Sequence, residues 1–150
     1  MAEPCAVFWD VQNVNVPKGK SVDFIVDLVR SAIIKPYNLD EIFFFCVCDF
    51  RKLSSNIGHS LTNLDFLAYD GFKDSADNKI IDLMRKFVKF AGQDCTIILL
   101  SGDGDYHGTL RDLKKLHNVS IHLIGLADSF SSKLVQIADN SFILNNGLLN

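Results

Sequence analysis

Short apolar runs that break off at acids constrain this chain more than any other feature. Val7-Phe8-Trp9 ends in Asp10, and Ile42-Phe43-Phe44-Phe45-Cys46-Val47-Cys48 ends in Asp49. Thr96-Ile97-Ile98-Leu99-Leu100 runs through Ser101-Gly102 into Asp103. Runs this short, rich in β-branched and aromatic residues, predict strands buried on both faces of a parallel sheet. Between them the apolar period changes to that of a helix. Val22, Ile25, Val26, Val29 and Ile33 follow Ser21 as a candidate N-cap, and Lys35-Pro36 stops the helix. Ile80, Ile81, Met84, Phe87, Val88 and Ala91 form a second apolar face that ends at Gly92, and Leu110, Leu113 and Leu116 a third after Gly104. Further strands are expected at Leu64–Tyr69, Val119–Leu126 and Ser141–Leu144, with a weak helix over Arg51–Leu61 and a last one over Ser131–Ala138. This alternation predicts an α/β fold, a three-layer α/β/α sandwich with a mainly parallel central sheet.

Its 150 residues and 48% hydrophobic content suit a single domain spanning 1–150, with its core at about 5–144. The formal charge of −3 supplies no global basic field, so a polyanion would have to be met by local cations. No apolar run approaches the roughly 18 residues of a membrane-spanning helix, and Met1-Ala2-Glu3-Pro4 does not start a signal peptide. The expected setting is intracellular, the cytoplasm first, with no membrane partner. Cys5, Cys46, Cys48 and Cys95 lack C-x-x-C spacing and read as reduced core residues. Cys46 and Cys48 share a strand face, but no third and fourth ligand stand at zinc spacing. The twelve phenylalanines read as core rather than as platforms for bases.

In parallel sheets the residues just beyond the strands emerge on one edge, where ligands bind. Asp10, Asp49 and Asp103 therefore converge, and Asp77 joins them if its helix begins at that edge. Two like charges about 4 Å apart repel by roughly 4 kcal/mol at an effective dielectric near 20, so the cluster needs protons or a cation. Carboxylates suit Mg²⁺ or Mn²⁺, and such an ion activates water and stabilises phosphoryl oxygens. Each acid also has a plainer use. Asp10 could form a turn, Asp49 could pair with Arg51 or Lys52, Asp77 could close a capping box with Asp74, and Asp105 could cap the next helix. Asn13 and Ser101 are supporting candidates that could bond a carboxylate or a metal-bound water, and Asp105 is a third. Gly102 and Gly104 permit a sharp turn and close approach of a ligand. Lys18, Lys20, Arg51, Lys52, Lys73 and Lys79 surround the acids as a rim that could hold a polyphosphate backbone, although any one lysine is more simply a solvated surface group.

Val7-Phe8-Trp9-Asp10-Val11-Gln12-Asn13, Cys46-Val47-Cys48-Asp49, Ser75-Ala76-Asp77-Asn78-Lys79 and Ser101-Gly102-Asp103-Gly104-Asp105-Tyr106 together resemble the NYN domains of the PIN-like nuclease superfamily. The likeness runs from about Cys5 to Leu144. It implies a PIN-like sandwich and a metal-dependent endoribonuclease acting on single-stranded RNA, with Mg²⁺ or Mn²⁺ held by Asp10, Asp49, Asp77 and Asp103. Products with a 5′-phosphate and a 3′-hydroxyl are likewise implied. Asn78 departs from relatives with a second acid at that position, while Asp105 adds one. RNA-binding modules elsewhere in a longer chain, or partner proteins, would then supply specificity. The competing reading is a catalytically silent domain that binds RNA or protein. A haloacid-dehalogenase phosphatase would carry an acid where this chain has Gln12. Phe142, Ile143, Leu144, Leu148 and Leu149 either close the core or form a partner surface, which leaves a homodimer open.

Overall fold

The computed structural model describes residues 2–48, 65–68, 75–92 and 94–150. Asp49, Arg51, Lys52, Lys73, Asp74 and the expected helix at Arg51–Leu61 lie outside the described residues. Strands β1 (Glu3–Asp10), β2 (Leu39–Cys48), β3 (Asp65–Ala68), β4 (Cys95–Leu100), β5 (Val119–Leu126), β6 (Asn140–Asn145) and β7 (Leu148–Leu149) form one sheet in the order β3-β2-β1-β4-β5-β6-β7. Every pairing is parallel except β6 with β7. The expected mixed α/β class with a mainly parallel sheet is the observed one.

Helices α1 (Val22–Val29), α2 (Ser75–Ala91), α3 (His107–Leu116) and α4 (Ser132–Ile137) connect the strands. Side chains alternate across each strand, which sorts the core into two halves. Cys5, Val7 and Trp9 of β1 join Cys46, Cys48, Ile98 and Leu100 beneath α1. Ala6 and Phe8 join Val47, Ile97 and Leu99 beneath α2, α3 and α4 through Ile80, Met84, Leu110 and Leu134. Helices thus cover both faces, as the continuous apolar strands require. All four cysteines are buried free thiols.

Local chemistry sets the boundaries. The Ser21 hydroxyl accepts from the Phe24 amide and caps α1. Apolar spacing predicts this helix through Ile33, but the chain widens into a π-turn at Arg30–Ile34. Gly92 ends α2 with φ +84°, a left-handed conformation that glycine adopts without strain. The hairpin β6–β7 turns through Asn146 and Gly147, both at positive φ, as a tight primed turn demands. Leu144 is buried and Phe142 and Leu149 pack on the core, whereas Ile143 and Leu148 remain exposed. No described helix is long and apolar enough to cross a membrane.

Candidate metal centre at the carboxyl edge

Strand order reverses between β1 and β4, and Asp10 stands at the carboxyl end of β1 beside the loop that leaves β4. Such a reversal opens a crevice, where open α/β sheets bind their ligands. The loop after β1 is fixed from three directions. Asn13 and Val14 donate their amides to the Asp10 carbonyl, and the buried Trp9 indole donates to the Val14 carbonyl at 2.7 Å. Asn13 Oδ1 then accepts the Gly102 amide at 2.9 Å, tying the β1 loop to the β4 loop. On the β4 side, Ser101 Oγ accepts from the Asp103 amide, and Asp103 Oδ1 from the Asp105 amide. Asp103 is therefore the cap of the 3₁₀ turn at Gly104–Tyr106 that leads into α3. Asp105, the acid suspected of capping, sits within that turn.

One carboxylate oxygen from each of Asp77, Asp103 and Asp105 lies within 4.8 Å of the other two. Asp77 reaches them because α2 begins at this edge. Asp10, only 4% exposed, joins through Tyr106, whose hydroxyl lies 3.1 Å from Asp10 Oδ2 and 3.0 Å from Asp77 Oδ1. A phenol has one proton to donate, so with both carboxylates ionised one of these contacts lacks its hydrogen. The electrostatics agree. Burial pushes Asp10 up to about 6, with the Asp103 charge adding to it against the opposing bonds from Tyr106 and the Asn13 and Gln12 amides. Burial also pushes Asp77 up to about 7, against the Tyr106 bond, and Asp103, Asp10 and Asp105 raise it further. Tyr106 itself, raised by burial and by both carboxylates, stays protonated at any working pH.

Tyr106 was the residue that sequence reasoning left without a role. Its signal was a phenol three positions after Asp103, at the start of a helix whose apolar face points inward. The glycines need a different reading as well. A Cβ at Gly102 would stand 2.5 Å from the Ser129 carbonyl oxygen and 2.9 Å from Phe130 Cα. The close approach is thus made by the chain's own 129–131 segment, which the Ser131 amide fastens to the Gly102 carbonyl at 2.8 Å. Of the expected cations, Lys79 is exposed two residues beyond Asp77. Lys18 and Lys20 flank a cavity of about 400 Å³ lined also by Val16, Leu126 and Leu144, with Lys20 over the Phe24 ring.

A mainly parallel sheet covered on both faces, with carboxylates gathered at its topological switch, is an α/β domain with a candidate metal-binding edge. The NYN domain family matches residues 4–146, and the chain belongs to that family. It is 32% identical over 124 residues to the meiosis regulator and mRNA stability factor 1 of Xenopus tropicalis and 31% identical to that of Bos taurus. Each match covers 81% of this chain, which corresponds to only 7% of the relative's length. A crystal structure of a protein of unknown function from Vibrio parahaemolyticus shares the fold, with a TM-score of 0.69 at 18% identity over 99% of this chain and 97% of that one.

Proposed function

We propose that this chain is a divalent-metal-dependent endoribonuclease that hydrolyses phosphodiester bonds of single-stranded RNA. The observation that carries the reading is the meeting of Asp77, Asp103 and Asp105 within 4.8 Å, with Asp10 joined through Tyr106, at the switch point of a NYN fold. Three hard oxygen donors suit Mg²⁺ or Mn²⁺, and their mutual repulsion makes a cation the natural occupant. When bound, such an ion lowers the pKa of water and offsets charge on the phosphoryl oxygens.

The chain's own residues supply the positioning. Asp77 and Asp103 would hold the ion, with Asp105 extending the donor set. Asp10 would orient the attacking water or complete the donor set, and Asp49 is the remaining acid of the proposed catalytic group. Tyr106 keeps Asp10 and Asp77 together, while Asn13 and Ser101 fix the loop that presents Asp103. Because the chain spans so little of its relatives' length, RNA selection is assigned to further modules or partner proteins, in a cytoplasmic setting. Cleavage of labelled single-stranded RNA with Mn²⁺, compared with Asp77→Asn, tests the reading. Cleavage that survives both EDTA and the substitution would overturn it.

A further inference from the structure

The proposed reaction leaves an acidic chain facing a polyanion, and the helical layer offers a way round that conflict. Helices α2 and α3 carry seven cations, Lys79, Arg85, Lys86, Lys89, Arg111, Lys114 and Lys115, against three acids, Asp77, Asp82 and Asp112. These two helices are therefore locally basic in a chain of net charge −3. Lys86 is held by Asp82, Arg111 pairs with Asp112, and Lys114 bonds Asp139 and the Ile137 carbonyl. Arg85, Lys89 and Lys115 are exposed and have no carboxylate partner among the described residues.

Arg85 and Lys89 line one groove of about 540 Å³ between α2 and α3, which Thr109, Leu113, Leu116 and His117 continue and which Asp112, paired with Arg111, also borders. Lys115 borders the adjoining depression, which shares Leu116 and His117 and is lined also by Asp94, whose carboxylate accepts from the Asn118 side-chain amide. Both helices start at the acid edge, where Tyr106 meets Asp77, and run away from it. At 1.5 Å per residue, Lys89 lies about 18 Å along α2 from Asp77, room for a few nucleotides of backbone. Cations in the last turns of α2 and α3 also complement the helix dipoles, which accounts for Lys89 and Lys115 but not for Arg85 in mid-helix. His117, exposed next to Leu116, offers a flat ring beside the cations, the kind of surface on which the bases of a single strand stack.

We propose that the α2–α3 groove is the track for single-stranded RNA on one side of the scissile bond, its phosphates held by Arg85, Lys89 and Lys115. The inference rests on the nuclease reading. The test is fluorescence anisotropy of 5′-fluorescein single-stranded RNA in EDTA, titrated with the wild-type chain, Arg85→Glu, Lys89→Glu, the double variant and Lys35→Glu. Lys35 is exposed, so its variant matches each single charge change away from the groove. Each groove variant is expected to weaken binding at least about 5-fold more than Lys35→Glu, and the double variant to lower the salt slope by about 1–2. Equal losses in Arg85→Glu and Lys35→Glu would mean that only net charge counts, and would overturn the track. If the wild-type chain binds and cleaves RNA while the groove variants behave like it, the track fails and the nuclease reading stands. A wild-type chain that neither binds nor cleaves RNA overturns both, and the groove would then face a protein.

Discussion

The acid edge and the α2–α3 groove lie at different depths in the same fold. Three of the four described acids at the edge are also part of the scaffold, Asp105 being exposed in its turn. Asp103 caps the turn into α3, Asp10 and Asp77 share Tyr106, and Asn13 ties the two loops together. In the groove, Arg85 and Lys89 lie exposed on a helix whose opposite face packs through Met84, Phe87 and Val88. Chemistry at the edge is therefore coupled to stability, whereas binding along the groove is separable from it. Functional variants of the two regions should behave differently in ways that a melt and an assay together can resolve.

The largest expected effect is on the reaction. Asp77→Asn keeps the shape of the side chain and removes its charge, so Mn²⁺-dependent cleavage of single-stranded RNA should fall about 10²–10³-fold. Asp103→Asn should match that loss without harming the fold, because asparagine caps as well as aspartate. Asp103→Ala should lose activity and about 1 kcal/mol of stability as well. Equal urea midpoints for the two Asp103 variants would show that the cap is not what couples this edge to the fold.

Next in size is the close approach at Gly102. Alanine there drives Cβ into the Ser129 carbonyl, a backbone atom that cannot swing aside, and overpacking of this kind costs about 1–3 kcal/mol. Displacement of the 129–131 segment would also move the loop carrying Asp103, so Mn²⁺ binding should weaken in the folded fraction. A Gly102→Ala chain with wild-type urea stability would mean the segment is loosely held.

The pH dependence is smaller and its sign is fixed. A carboxyl whose folded pKa lies above its unfolded value binds more protons when folded, so raising the pH through that window removes stability. For Asp10 and Asp77 the window runs from their ordinary value of 3.8 to about 6 and about 7. Metal-free protein should therefore be more stable near the bottom of this window than above it. His122 opposes this trend, because burial holds its pKa below the ordinary value and favours the folded state as pH rises. The decisive quantity is the difference between wild type and Asp77→Asn, which should melt progressively higher than wild type as the pH rises through the window. Mn²⁺ added above the window should raise the wild-type melting temperature and leave Asp77→Asn nearly unchanged. A pH-independent difference would mean that Asp77 keeps its charge without a metal.

These tests fall on residues of unequal legibility in the sequence. Strand β5 has the limits that its apolar run predicts, and Gly92 ends α2 as expected, because burial on both strand faces and a left-handed helix stop are local properties. Asp10, Asp77 and Asp103 were visible as acids at element ends. Their partnership through Tyr106 was not, since it joins residues 96 and 29 positions apart and depends on which way one helix turns. The β6–β7 hairpin was legible in Asn146-Gly147 but was absorbed into an apolar tail. The groove is not legible in the sequence because its cations come from two helices, and cations spread along a chain form no patch until the helices lie side by side.

The smallest effect is the one that keeps the two regions apart. Arg85→Ala and Lys89→Ala remove exposed side chains with no ion-pair partner among the described residues, on a helix where alanine is a good former. Stability in urea should stay within about 0.5 kcal/mol of wild type, the usual range for surface substitutions away from caps and cores. Activity of the same proteins should show a raised KM for single-stranded RNA with little change in kcat, because uniform binding is lost while the acid edge is intact. A fall in kcat at unchanged KM would tie the groove to the chemistry itself, and a fall in stability would show that α2 needs these cations to hold its place on the sheet.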